Sequence, residues 1–331
     1  MPANDVMWPM PLIRFPTLFP GMTGGVPGTD NETGLRSHSS GIVVYVDPNA
    51  AGVSDLRDGT NPEDPLLTVA AALLRCQPYR GDVIAVMASN AWQYGEPNDG
   101  FILPISENVV VTVPGVRIVG VAPASSLGVI WTPASNGGTC IQVNACDVTV
   151  EGFCFDQGTF AGCNAIAALW NGTTAHGDNL TVRHCTFTDT VDTAIALEFA
   201  WYCNIYGNQF EACDAYGIYV DPAGSGARFC NIYENIFHDC AVAMALNGVD
   251  DTRIWNNEIY NAAAMSGAAA ANQGIDITLG QRDMIYNNFF SCILPAAAPG
   301  DWDNFNSSDA ALTSAWVGNR LLNGIAVTAP T

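Results

Sequence analysis

The sequence predicts an all-β solenoid, a single-stranded right-handed parallel β-helix. Three observations carry that reading. First, a short phrase recurs five times: NIYGNQF (204–210), NIYENIF (231–237), RIWNNEI (253–259), MIYNNFF (284–290) and AWVGNRL (315–321). Looser copies, TVEGFCF (149–155) and TVRHCTF (181–187), precede them. Second, matching columns lie 22 to 32 residues apart, a period that belongs to stacked repeat units. Third, most units hold a further run with apolar residues at alternate positions: TAIALE (193–198), YGIYVD (216–221), VAMALN (242–247), QGIDITL (273–279) and NGIAV (323–327). Two or three short strands per coil, with bends between them, make a β-helix.

Each column of the phrase has a physical task. Ile205, Ile232, Ile254 and Ile285, preceded by Val150 and Val182, are β-branched and apolar, as inward strand positions require. Side chains alternate faces along a strand, so the next column, Tyr206, Tyr233, Trp255 and Tyr286, points out. Two residues before the Ile column, Val148, Leu180, Cys203, Cys230 and Thr252 point in again. The column Asn208, Asn235, Asn257, Asn288 and Asn319 falls where the strand must bend. Asparagine tolerates left-handed backbone angles, and its amide can also bond the Asn above and below. Phe155, Phe187, Phe210, Phe237, Ile259 and Phe290 then return to the interior.

Before the repeats, three segments are expected. Residues 1–41 form an extended arm rich in Pro, Gly, Met and Ser, too irregular for a core of its own. It carries Trp8, Met10, Phe15 and Phe19, too apolar for a solvated tail, and so docks on a partner. Residues 42–80 supply a strand and a helix over Pro65–Cys76, with Leu66, Val69, Ala70, Leu73 and Leu74 on one face, to plug the open end of the solenoid. Residues 81–331 are the β-helix. Insertions at 262–273 and 295–311 lengthen two coils and leave one side together. Arg80-Gly81-Asp82 reads as turn chemistry between helix and strand rather than as an adhesion tripeptide.

Composition narrows the partners. Charged residues are 13%, about half of the ~25% of average domains. All 11 cations are Arg, and net charge is -21. A genomic base-composition bias on a β-rich fold explains this, and so does a surface buried in an assembly. Either way phosphate backbones and anionic membranes are repelled, so nucleic acid is excluded. No apolar run is long enough for membrane insertion, and the first residues lack the pattern of a signal peptide. The 11 cysteines form no zinc-type pair; no metal and no cofactor is expected. Their regular stacking fits buried free thiols, although Cys213 and Cys240 also stand where a bridge between coils is permitted.

One constellation could carry chemistry. Glu198 and Asp221 lie just past the further strand of adjacent coils, ~4.8 Å apart by strand spacing. That is near the ~5–5.5 Å of a retaining glycosidase pair. Their alternative is a polar step facing solvent. The outward aromatic column is the stronger candidate, as a wall against sugar rings or another subunit.

The phrase N-x-I/V-x-x-N-x-F/I followed by G-I-x-V resembles the repeats of the pectate-lyase-like right-handed β-helix superfamily, which includes NosD-like proteins. The segment VVYVDPNAAG…DGTNPEDPLLTVAAALLRC (43–76) also looks like the opening of such a body. The likeness covers residues 43 to 327 and implies the fold, not an activity. Lyases of that group resemble a scheme of proton abstraction by Arg or Lys with calcium holding a uronate. Polygalacturonase-like hydrolases carry an NTD and a paired DD motif. This chain has no Lys and no NTD, and its one DD, Asp250-Asp251, has no companion. The balance leans away from an enzyme. With its docking arm and low charge the chain resembles phage tailspike and virion-surface β-helices. The expected function is a structural virion component, a spike or a capsid decoration protein, gripping surface glycans. Such a protein is a homotrimer at the virion surface with capsid or tail proteins as partners. The alternatives are a polysaccharide lyase or glycoside hydrolase using Glu198 and Asp221, and an extracellular carbohydrate-binding β-helix.

Overall fold

The computed structural model describes residues 41–87, 104–121, 129–169, 177–220, 226–261, 273–278, 280, 282–292 and 315–321. The docking arm with Trp8, Met10, Phe15 and Phe19, Asp221, and the long insertions lie outside these residues. Three parallel sheets of ten, nine and seven strands wrap one core. Each full coil contributes one strand to each, as in Asn204–Tyr206, Gln209–Cys213 and Tyr216–Val220. We call them the first, second and third sheets. Repeat columns pair in register: Ile205 with Val182 and Ile232, Phe210 with Phe187 and Phe237, and Ile218 with Ile195 and Met244.

Val43–Val46 is already a member of the first sheet and pairs with Val83–Met87. Between them the helix α1 is shorter than the sequence pattern predicts, Val69–Leu73 rather than Pro65–Cys76. Thr68 caps it with its hydroxyl accepting from the Ala71 N–H, and the Glu107 carboxylate accepts from the Val69 and Ala70 N–H groups. Its buried face is Val69, Ala72 and Leu73, with Leu66 buried just ahead of it; Ala70 and Leu74 face solvent instead. The helix packs on strands of both the first and third sheets, so it closes one end of the core.

The core follows the columns. Ile205, Ile232, Ile254 and Ile285 are buried, as are Val148, Leu180, Cys203, Cys230 and Thr252. Phe155, Phe187, Phe210 and Phe237 stack along the axis with centroids 5.3, 4.8 and 4.4 Å apart. Each such pair adds about 0.5–1.5 kcal/mol beyond its buried area. The third sheet makes room for these rings at Gly217, where a Cβ would stand 2.8 Å from the Phe237 ring.

The bend between the first and second sheets is an asparagine ladder. The Nδ2 of Asn208 donates to Asn235 Oδ1 at 3.0 Å, and the same bond recurs from Asn235 to Asn257, Asn257 to Asn288 and Asn288 to Asn319. Each Oδ1 also takes the backbone N–H of the Asn one coil earlier, and each Nδ2 also donates to a carbonyl such as that of Ile205. One expectation is corrected here. The left-handed residue is not the ladder Asn but the one before it: Gly207, Glu234, Asn256, Asn287 and Gly318, with φ between 54° and 70°. That residue turns the chain, and the turn aims the following amide into the bend.

Ten of the 11 cysteines are seen as free thiols, nine of them buried. Burial pushes Cys76, Cys154 and Cys185 up to about 12, so they are inert core residues.

Candidate functional site

The outward face of the first sheet holds the predicted aromatic column as one continuous ridge. Tyr206–Tyr233, Tyr233–Trp255 and Trp255–Tyr286 centroids lie 4.8, 4.4 and 5.8 Å apart, with interplanar angles of 7°, 4° and 2°. All four rings are half-buried. In-register strands hold them at rung spacing, so the rings cover one another's faces and turn their edges outward. A sugar stacks on an aromatic face, and here those faces are occupied. The ridge is therefore not the flat platform that the column alone implies; it is an edge-on strip.

At one end the ridge meets a charged knot. Arg183 donates to the Tyr206 hydroxyl at 2.8 Å, and its Nη2 and Nε donate to Glu151 at 2.9 and 3.1 Å. Arg117 reaches the same carboxylate at 3.2 Å. Burial works against the Arg183 charge, but Glu151 and Tyr206 outweigh it and raise its pKa. The guanidinium stays protonated and clamps three coils together.

The corner leading into the first sheet carries residues that the sequence pattern does not single out. Asp147, Asn179, Tyr202, Phe229, Asp251 and Arg282 occupy one column, all with φ between 53° and 61°. They interact in successive pairs. Asn179 donates to Asp147 at 3.0 Å, the Tyr202 and Phe229 rings stack at 5.1 Å, and Arg282 grips Asp251 with two bonds of 2.8 and 2.7 Å. Tyr202 and Phe229 are 48% and 40% exposed. Beside them the Arg228 guanidinium lies 5.6 Å from the Trp201 ring centre. A bulky residue at positive φ costs roughly 1–2 kcal/mol. The available signal was an aromatic pair in a column whose other members are Asp, Asn and Arg.

The carboxylate pair is not brought into view. Glu198 is half-buried just past Thr193–Leu197, with its N–H donating to the Ala168 carbonyl at 2.8 Å. Asp221 lies outside the described residues, so their separation has no value here. Among the described residues no cluster of three metal-ligating side chains forms. Asp82 is buried and bound by Arg80, so the Arg80-Gly81-Asp82 tripeptide cannot present its carboxylate to a receptor.

Comparisons with known proteins agree on the fold. Residues 131–290 match the family model described as a right handed beta helix region. The fold of the described residues is a right-handed parallel β-helix. Among solved structures, the complex of XylC with xylose shares 12% identity over 76% of this chain and 67% of that one, with a TM-score of 0.50. PfbA, a surface adhesin of Streptococcus pneumoniae, shares 10% over 72% and 68%, at 0.40. ORF18 of Geobacillus virus E2 shares 10% over 84% and 62%, at 0.34. At 12% identity the likeness to the XylC structure is one of fold. A search of curated proteins found no match.

Proposed function

We infer that this chain is a structural β-helix of a virion surface that meets glycans along its entry corner rather than on its aromatic ridge. The observation that carries the reading is the Tyr202–Phe229 pair. Two bulky aromatics stay exposed in a strained conformation, and strain of this kind persists where a function uses it. The paired Asp, Asn and Arg side chains on neighbouring rungs supply hydrogen bonds to sugar hydroxyls above and below the rings. The apolar arm and the low charge support a protein that is fixed to a particle.

Two measurements test the reading together. Immunogold labelling of purified particles should place the chain on their surface. A glycan array should give binding that falls at least tenfold when Tyr202 and Phe229 are both changed to Ala, with the circular dichroism spectrum unchanged. Full glycan binding by the double variant rejects the corner as the site, and absence of the chain from particles rejects the virion role.

A further inference from the structure

We propose that the ridge is the interface of a homotrimer, in which the first-sheet face of one copy packs against the second-sheet face of the next. This rests on the structural reading above and names its partner as a second copy of the chain. With a net charge of -21, two copies repel each other over most approaches. The described strands of the third-sheet face are nearly free of charge, with Asp276 alone, and the first-sheet face is the one where cations outnumber acids. Its described outward strand positions carry Arg117, Arg183 and Arg253 against a single acid, Glu151. The second-sheet face has the opposite balance, with Asp156, Asp189, Glu211 and Glu258 against Arg320 and the titratable His238.

The apolar patterns also match by height. Copies placed side by side with parallel axes meet rung for rung. Tyr233, Trp255 and Tyr286 on the first sheet then stand level with Ile236, Tyr260 and Phe289 on the second. All six are half-buried in the single chain, so each has apolar surface left to cover. Ring edges in a flat strip suit insertion between the side chains of a facing sheet, and aromatic residues are enriched in such contacts. On the same rung Arg253 and Glu258, both exposed, come into reach across the contact. A contact between two different faces is heterologous, and the smallest ring it closes is a trimer.

The test uses the whole chain in sedimentation velocity at micromolar concentration and 0.15 M salt. A species of three 35.0 kDa chains is expected. Arg253→Glu and Glu258→Arg should each raise the trimer dissociation constant at least tenfold. The double variant should recover to within about threefold of the native chain, because the swapped charges meet again. Both positions are exposed, and circular dichroism checks that each variant keeps its fold. A monomeric native chain overturns the proposal, and so does a double variant no better than the singles. A monomer that still labels the particle surface would remove the trimer and leave the proposed function standing.

Discussion

The two bends that flank the first sheet obey different rules. The bend behind it is filled by one residue type: five asparagines, all at most 2% exposed. Each amide satisfies the next, because a buried polar group without a partner costs about 1–3 kcal/mol. The bend in front is exposed, and water can satisfy its backbone. There the chain uses a hydrogen-bonded pair, an aromatic pair and an ion pair in turn. Burial enforces uniformity, and exposure permits variety. Contacts with other molecules are therefore to be sought in the irregular bend.

The largest expected effect breaks the uniform bend. Asn235→Ala leaves the Asn208 N–H and amide without their acceptor and the Ile205 carbonyl without its donor. A loss of about 3–5 kcal/mol follows from several unsatisfied buried groups. Urea denaturation measures it; a loss below about 1 kcal/mol would show that the ladder is incidental to stability.

A change of opposite sign is expected at the exposed bend. Tyr202→Asn places a residue suited to left-handed angles where φ is 61°. Relief of strain outweighs the lost ring contact, so the unfolding free energy should rise by up to about 1 kcal/mol while glycan binding falls. Destabilisation together with intact binding would mean that the ring serves the fold.

The smallest effect is on pH dependence. The hydrogen bond from Arg282, and then its charge, holds the Asp251 carboxyl below its ordinary value of 3.8. A depressed folded pKa means that the stabilisation is present above the ordinary carboxylate value and is lost as pH falls through the lower folded one. Removing the partner by Arg282→Ala should return Asp251 to the ordinary range, as followed by NMR titration of its carboxyl carbon. An unchanged titration would show that the pair does not persist in solution.

The contrast also explains what could be read from the sequence. Buried columns repeat the same residue, so the inward Ile, Phe and Asn rows were legible before any coordinates. The position of the left-handed turn was not, because Asn256-Asn257 and Asn287-Asn288 place two suitable residues side by side. Only the first of each turns the chain; the second feeds the ladder. Alternation revealed that Tyr206, Tyr233, Trp255 and Tyr286 face outward. It could not reveal that their rings lie parallel and edge-on, since strand periodicity fixes a face and not a torsion angle. Tyr202 and Phe229 stand out only as an aromatic pair, and weakly, because their column has no constant identity. The apolar pattern runs past both ends of α1 because Leu66 and Leu74 continue it on either side of the segment that begins at the Thr68 cap.

Hydrogen exchange of side-chain amides tests the central claim most directly. If identical rungs are locked through a buried row of asparagines, the Nδ2 protons of Asn208, Asn235, Asn257 and Asn288 should exchange as slowly as core backbone amides. Exchange at the rate of free asparagine in water would contradict the ladder and the stacking of rungs built on it.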